Sequence, residues 1–173
     1  MRLATSALAL LALACSPGDK PMTDAERTAV SDSAGAVMDR VFAAANRLDF
    51  ETAWKEFSTD SDARFAENGM IYPSLDSIRT VYRPLLPTFD SLVESVTSRN
   101  IQVLDRETAV VTLAVALHFK PRNKAAFDAN FAWSGVIQRR NGAWKIVQAH
   151  ESFPDPVALG AAVAPADSTA VAK

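Results

Sequence analysis

Two regimes of apolar spacing divide the chain, a helical one up to about residue 82 and a period-two one after residue 92. Thr23 opens a Thr-x-x-Glu pattern with Glu26, the signature of a reciprocal capping box, and Val30, Ala34, Val37, Val41 and Leu48 then recur on one face. This predicts a long amphipathic helix. Asp49 can cap a second, shorter helix whose Phe50, Ala53, Trp54 and Phe57 fall at i, i+3, i+4 and i+7, so that the two helices form a hairpin. Residues 58–68 are polar and turn-rich, with a short irregular strand around Asn68-Gly69. Ser74, behind Pro73, caps a third helix carrying Leu75, Ile78 and Tyr82, which Pro84 and Pro87 then disturb.

The period-two region predicts strands over residues 92–104, 109–119, 126–139 and 143–152, separated by turns at 105–108, at 121–124 and at Asn141-Gly142. Asn-Gly between alternating apolar positions is a strong hairpin signal. Long strands joined by short turns make an antiparallel meander. Counting outward from that turn pairs Arg140 with Ala143, Ile137 with Ile146, Gly135 with Gln148, Trp133 with His150 and Phe131 with Ser152. The last four pairs, two apart on each strand, share one side of the sheet, and its large apolar residues make it the concave side that packs on the helices. Gly135 removes bulk opposite Gln148, leaving room for a ligand or for a helix side chain; a bulge would undo the count. On strand 109–119 the core face is Val111, Leu113, Val115, Leu117 and Phe119, which turns His118 to the convex side, within reach of Asp128.

The termini change the picture of where such a domain works. Met1 and Arg2 precede a run of Leu and Ala over residues 3–14, the pattern of a secretion signal. At about 1.5 Å per residue such a run is too short for a hydrocarbon core of about 30 Å. Ala12-Leu13-Ala14-Cys15 resembles the bacterial lipobox, with acylation of Cys15 expected, although Ala12 stands where a larger aliphatic residue is usual and the same bond fits the Ala-x-Ala cut of a soluble secreted protein. Cys15 is the single cysteine of the chain, so no internal disulfide forms and stability must come from an apolar core. The expected organisation is a signal peptide over 1–14, a lipidated Cys15 and tether over 15–22, one domain over 23–153 and a disordered Ala- and Pro-rich tail over 154–173. This places the protein on the cell envelope, facing the periplasm, with a secreted soluble form as the alternative.

Charge and motifs narrow the function. The chain has 18 basic and 20 acidic residues, a formal charge of −2, with Lys and Arg scattered, which argues against nucleic acid as a partner. Gly-rich phosphate loops, the Gly-x-Ser-x-Gly elbow and Cys-x-x-Cys are absent. Two histidines without a shared helical or strand spacing give no metal site, and no cofactor is implied. Asp60 with Asp62 and Asp105 with Glu107 are read as decorations of solvated turns. His150 on the concave face has two readings, a general acid or base for a bound ligand or a core histidine stacked on Trp133. Glu67, Tyr72 and Tyr82 could approach it from the helical side. The candidate pocket set is Trp54, Tyr72, Tyr82, Phe131, Trp133, Gln148 and His150, with His150 the candidate catalytic residue.

A helical hairpin, a third helix and a late meander closing in Gly142-Ala143-Trp144-Lys145-Ile146-Val147-Gln148-Ala149-His150-Glu151-Ser152 resemble the nuclear transport factor 2-like superfamily, and within it the SnoaL-like group. The resemblance covers residues 23–153. It implies an α+β, cone-shaped fold in which a curved antiparallel sheet wraps around three N-terminal helices and encloses one pocket, with a homodimer formed through the sheet. That fold hosts isomerases, dehydratases, cyclases and pure binding domains, so two functions follow as expectations. One is a lipid-anchored module that binds a small hydrophobic ligand or an envelope partner; the other is an acid–base enzyme acting on a small hydrophobic substrate through His150.

Overall fold

A computed structural model describes residues 20–155 and positions 157 and 160. The expected signal segment, Cys15 with most of the expected tether, and the expected tail apart from positions 154, 155, 157 and 160 lie outside the described residues. Among the described residues no helix is long and apolar enough to cross a membrane.

The chain runs through α1 (Asp24–Ala45), α2 (Phe50–Ala53) continued by a 3₁₀ turn (Trp54–Glu56), β1 (Arg64–Glu67), β2 (Met70–Tyr72), α3 (Leu75–Tyr82), a second 3₁₀ turn (Leu86–Thr88), and then β3 (Phe89–Asp105), β4 (Thr108–Pro121), β5 (Phe127–Arg140) and β6 (Ala143–Ser152). The capping box forms as its residues dictate: the Glu26 N–H donates to Thr23 Oγ1 at 3.2 Å and the Thr23 N–H donates to Glu26 Oε2 at 2.8 Å. Arg106, from the β3–β4 turn, adds a bond to the same carboxylate at 3.1 Å and so ties the start of the helix to the sheet. Ser74 caps α3 in the same reciprocal way with Ser77.

Six strands form one sheet in the order β2-β1-β6-β5-β4-β3. β3 to β6 are the antiparallel meander that the alternation predicts. β1 adds to β6 in parallel, a pairing between segments about eighty residues apart for which the local pattern carries no signal. Together they make an α+β architecture of N-terminal helices followed by a curved, unclosed six-stranded sheet. Val37 and Met38 of α1 are fully buried against Val111, Leu113 and Val115 of β4, Ile137 of β5 and Ile146 of β6. Each such side chain contributes about 1.5–3 kcal/mol by leaving water.

Both Asn-Gly turns have the positive φ that two-residue hairpins need, 47° and 85° at Asn68-Gly69 and 52° and 83° at Asn141-Gly142. The second sets the predicted pairs Arg140–Ala143 and Ile137–Ile146. Three positions further the ladder slips, because Val136 pairs with Gln148 while Ile137 pairs with Ile146, leaving Val147 as an extra residue in β6. Beyond this bulge Gly135 faces Ala149, Ser134 faces His150 and Trp133 faces Glu151. The expected pairings of Gly135 with Gln148, Trp133 with His150 and Phe131 with Ser152 are therefore corrected by one residue. The alternation of β6 is inverted along its far half.

Candidate functional site

A cavity of about 410 Å³ lies between the concave face of the sheet and the helices, within the size range of small-molecule sites. α1 contributes Met38, Val41 and Phe42, the α2 segment Phe50 and Trp54, and α3 Ile78, Val81 and Tyr82. The sheet supplies Phe65, Leu92, Leu117, Phe119, Trp133 and Ala149. The lining is apolar and aromatic apart from a few polar groups, chief among them Glu67, Glu94, Glu151, Tyr72 and Tyr82.

Each carboxylate arrives on its own strand. Glu67 ends β1 and lies beside Glu151 of β6 in the parallel pair. The bulge at Val147 turns Glu151 inward, and the segment is fixed by the Asn68 N–H donating to the Glu151 carbonyl at 3.2 Å and the Phe153 N–H donating to Asn68 Oδ1 at 3.0 Å. Glu94 stands on β3, whose outer edge has no neighbouring strand among the described residues. There Asn46, at the end of α1, takes that neighbour's place: its Oδ1 accepts from the Glu94 N–H at 2.7 Å and its Nδ2 donates to the Glu94 carbonyl at 3.0 Å.

Burial among apolar walls penalises the charged form of all three. It pushes Glu94 up to about 7. Glu151 rises well above the ordinary carboxylate range, first through burial and then through the nearby charges of Glu67 and Glu94. Glu67 is also raised by burial, with a partial offset from the Tyr82 hydroxyl, which donates to Glu67 Oε2 in a short hydrogen bond. Burial lifts Tyr82 well above its usual value, and the neighbouring carboxylates add to this; Tyr72 is raised in the same sense. Among the described residues no lysine, arginine or histidine lines the cavity. The arrangement can hold a small apolar molecule and offers it a carboxyl group, that of Glu94, which gives or takes a proton near neutrality.

Of the residues expected from sequence, Trp54, Tyr72, Tyr82 and Trp133 line the cavity. His150 does not. It is exposed and paired with Ser134 on the convex side, so its position on the concave face is corrected, with the bulge at Val147 as the physical cause. Gln148 is displaced for the same reason, opposite Val136 and away from the cavity lining. Phe131 is buried on the concave face but is covered by Phe153, their ring centroids 4.8 Å apart, and it does not reach the cavity. Gly135 leaves no room for a ligand, since an added Cβ there would sit 2.5 Å from the Gln148 carbonyl and 2.6 Å from the Trp133 ring. His118 does face outward and bonds Asp128 at 2.8 Å.

Glu94 and Glu151 are the residues sequence reasoning missed. Glu151 is invisible without the bulge. Glu94 carried a usable signal, because it lies two positions from Leu92 and shares its side of β3.

Residues 35–156 match the profile of a family described as the SnoaL-like domain. No curated protein matches the chain. Among solved structures, a nuclear transport factor 2-like superfamily protein from Salmonella enterica serovar Typhimurium is similar at 19% identity and a TM-score of 0.65, over 74% of this chain and 93% of that one. A provisionally named scytalone dehydratase from Novosphingobium aromaticivorans gives 10% identity and a TM-score of 0.69, over 76% and 88% of the two chains. A hexachlorocyclohexane dehydrochlorinase gives 12% and 0.66, over 76% and 90%. At these identities the likeness is one of fold.

Proposed function

Because the chain belongs to the SnoaL-like domain family, we propose that its cavity is the working site of a small-molecule-binding domain. The observation that carries this reading is the cavity of about 410 Å³, walled by aromatic and aliphatic side chains and furnished with a few convergent polar groups. Titration with the neutral apolar dye Nile red tests it, together with native mass spectrometry of protein purified from its own cells. One saturable site, or a co-purifying molecule of a few hundred daltons, is the expected result. Absence of both would sink the proposal.

A second reading, acid–base catalysis on the bound molecule, is favoured by Glu94, poised at about 7, and by Glu151, which burial raises well above the ordinary carboxylate range. Carboxyl groups then take the role expected of His150. Two of the solved proteins with this fold bear the names of a dehydratase and a dehydrochlorinase, and both names denote eliminations, reactions that need a base. Candidate substrates would show proton–deuterium exchange that Glu94→Gln abolishes and His150→Ala leaves intact; the reverse pattern would refute carboxylate catalysis.

The proposal extends to location and assembly. It sets the domain on an envelope membrane through acylation of Cys15 and pairs two copies through the sheet. Exposed Thr112, Ala114, Asn130 and Ala132 give the convex face short side chains suited to close approach. Metabolic labelling with a palmitate analogue that marks the wild type and spares Cys15→Ser supports the anchor, and sedimentation equilibrium tests the dimer.

A further inference from the structure

We infer that the molecule this cavity takes is an organic cation: a small, largely apolar amine whose charged end pairs with one of the carboxyl groups of Glu67, Glu94 and Glu151 and whose hydrocarbon part fills the aromatic chamber. The inference rests on the proposal that the cavity is a ligand site and adds to it the chemical class of the ligand.

The cavity combines two features that conflict in the absence of a ligand. Its walls are apolar, yet three carboxyl groups from three different strands open into it, with no basic side chain among the described lining residues. Glu67 has the Tyr82 hydroxyl. Glu94 and Glu151 are half-buried and open into the chamber, and among the described residues neither side chain has a hydrogen-bond partner. The groups facing them are Glu67 from β1, Tyr72 from β2 and Tyr82 from α3, all neutral or acidic, while α1 and α2 present only apolar side chains. Two arginines, Arg79 and Arg83, lie over the Trp54 ring at 5.9 and 6.0 Å and are tied to Asp76 and Glu51. They do not line the cavity. Unpaired buried acids are costly, and here they avoid charge only by holding protons.

An entering ammonium group removes that conflict by supplying the missing counter-charge, while Tyr72, Tyr82 and the aromatic walls offer ring faces to a cation. A metal ion fits less well. Among the described residues no three acidic, histidine or cysteine side chains lie close enough to share one, and a metal would leave the apolar volume unfilled. An anionic ligand would add a further acidic group to a lining that holds no counter-charge among the described residues, and a neutral one would supply none.

Cation binding has a proton signature. A nearby ammonium lowers the pKa of a carboxyl group, so a proton held by Glu94 or Glu151 in the empty cavity is released when the amine enters. Affinity therefore rises with pH across the range in which Glu94 titrates, near 7.

Calorimetric titration of the purified full chain tests this with matched amines, alcohols and carboxylates on phenylbutyl, octyl and adamantylmethyl skeletons. We expect at least one amine to bind about tenfold or more tightly than its alcohol, with the carboxylate weakest. Affinity should climb from about pH 6 to about pH 8, and the heat should vary with buffer in the sense of proton release. The double variant Glu94→Gln, Glu151→Gln should keep alcohol binding and lose the preference for the amine. It should also fold, since it removes buried charge without changing shape. If alcohols bind as well as amines, the charge inference fails and the ligand-site proposal stands; silence from all nine compounds overturns both.

Discussion

Asn46 holds Glu94 by both backbone groups, with the N–H at 2.7 Å from Oδ1 and the carbonyl at 3.0 Å from Nδ2. A single side-chain amide thus stands in for the missing strand on the open edge of β3, and it does so at the one residue of that strand that brings a carboxyl group into the cavity. Asn46→Ala should destabilise the protein by about 1–2 kcal/mol and, more specifically, speed amide exchange at Glu94 relative to the neighbouring β3 amides. Unchanged exchange there would show that the edge needs no such clamp.

Glu94 should also write itself into the pH dependence of stability. Its pKa in the folded protein is about 7 against an ordinary 4.5, so below 4.5 both folded and unfolded states carry the proton. As pH rises the unfolded chain ionises first, and stability falls between about 4.5 and about 7 before levelling off. Glu94→Gln removes this loss. It should match the wild type at about pH 4 and exceed it by up to about 3 kcal/mol at about pH 8 in denaturant unfolding.

Tyr82 and Glu67 share the short bond between α3 and β1. Tyr82→Phe takes away the donor that holds the Glu67 pKa down, leaving burial to act alone, so that pKa should rise further. Stability should drop by about 1 kcal/mol at neutral pH. Side-chain carbon resonances of the glutamates, followed by NMR across a pH titration, would register the change at Glu67 itself.

Local patterns in the sequence specify most of the fold. The capping boxes, the Asn-Gly turns and the alternation of β4 each depend on neighbours a few residues away, and each forms as those residues require. The parallel addition of β1 to β6 does not, because it joins distant segments through backbone bonds that leave no periodic trace. The candidate site was half legible for the same reason. Trp54, Tyr72, Tyr82 and Trp133 sit on elements whose phase the sequence sets, and they line the cavity. His150 and Gln148 were placed by counting outward from the turn, and a count survives only until the first irregularity, which comes at Val147.

Gly135 owes its place to that same irregularity. The bulge lifts the Gln148 carbonyl to within 2.5 Å of where a Cβ would be, and the Trp133 ring lies across the other side at 2.6 Å. Gly135→Ala should therefore cost about 1–3 kcal/mol through overpacking and push the Trp133 ring toward the cavity, with a shift in tryptophan emission and weaker Nile red binding. A variant of wild-type stability and emission would mean that the strand yields there.

β6 carries two interleaved sets of side chains, and Val147 is the point where the chain changes from presenting one to presenting the other. On the turn side of that point the even-numbered Ile146 faces the helices; beyond it the odd-numbered Ala149 and Glu151 do. Had the extra residue fallen past position 150, the same sequence would offer an imidazole to the cavity where it now offers a carboxyl group. The site's acidity is thus encoded in the phase of one strand, and an insertion or deletion of a single residue between 147 and 151 could exchange one chemistry for the other while leaving the rest of the fold in place.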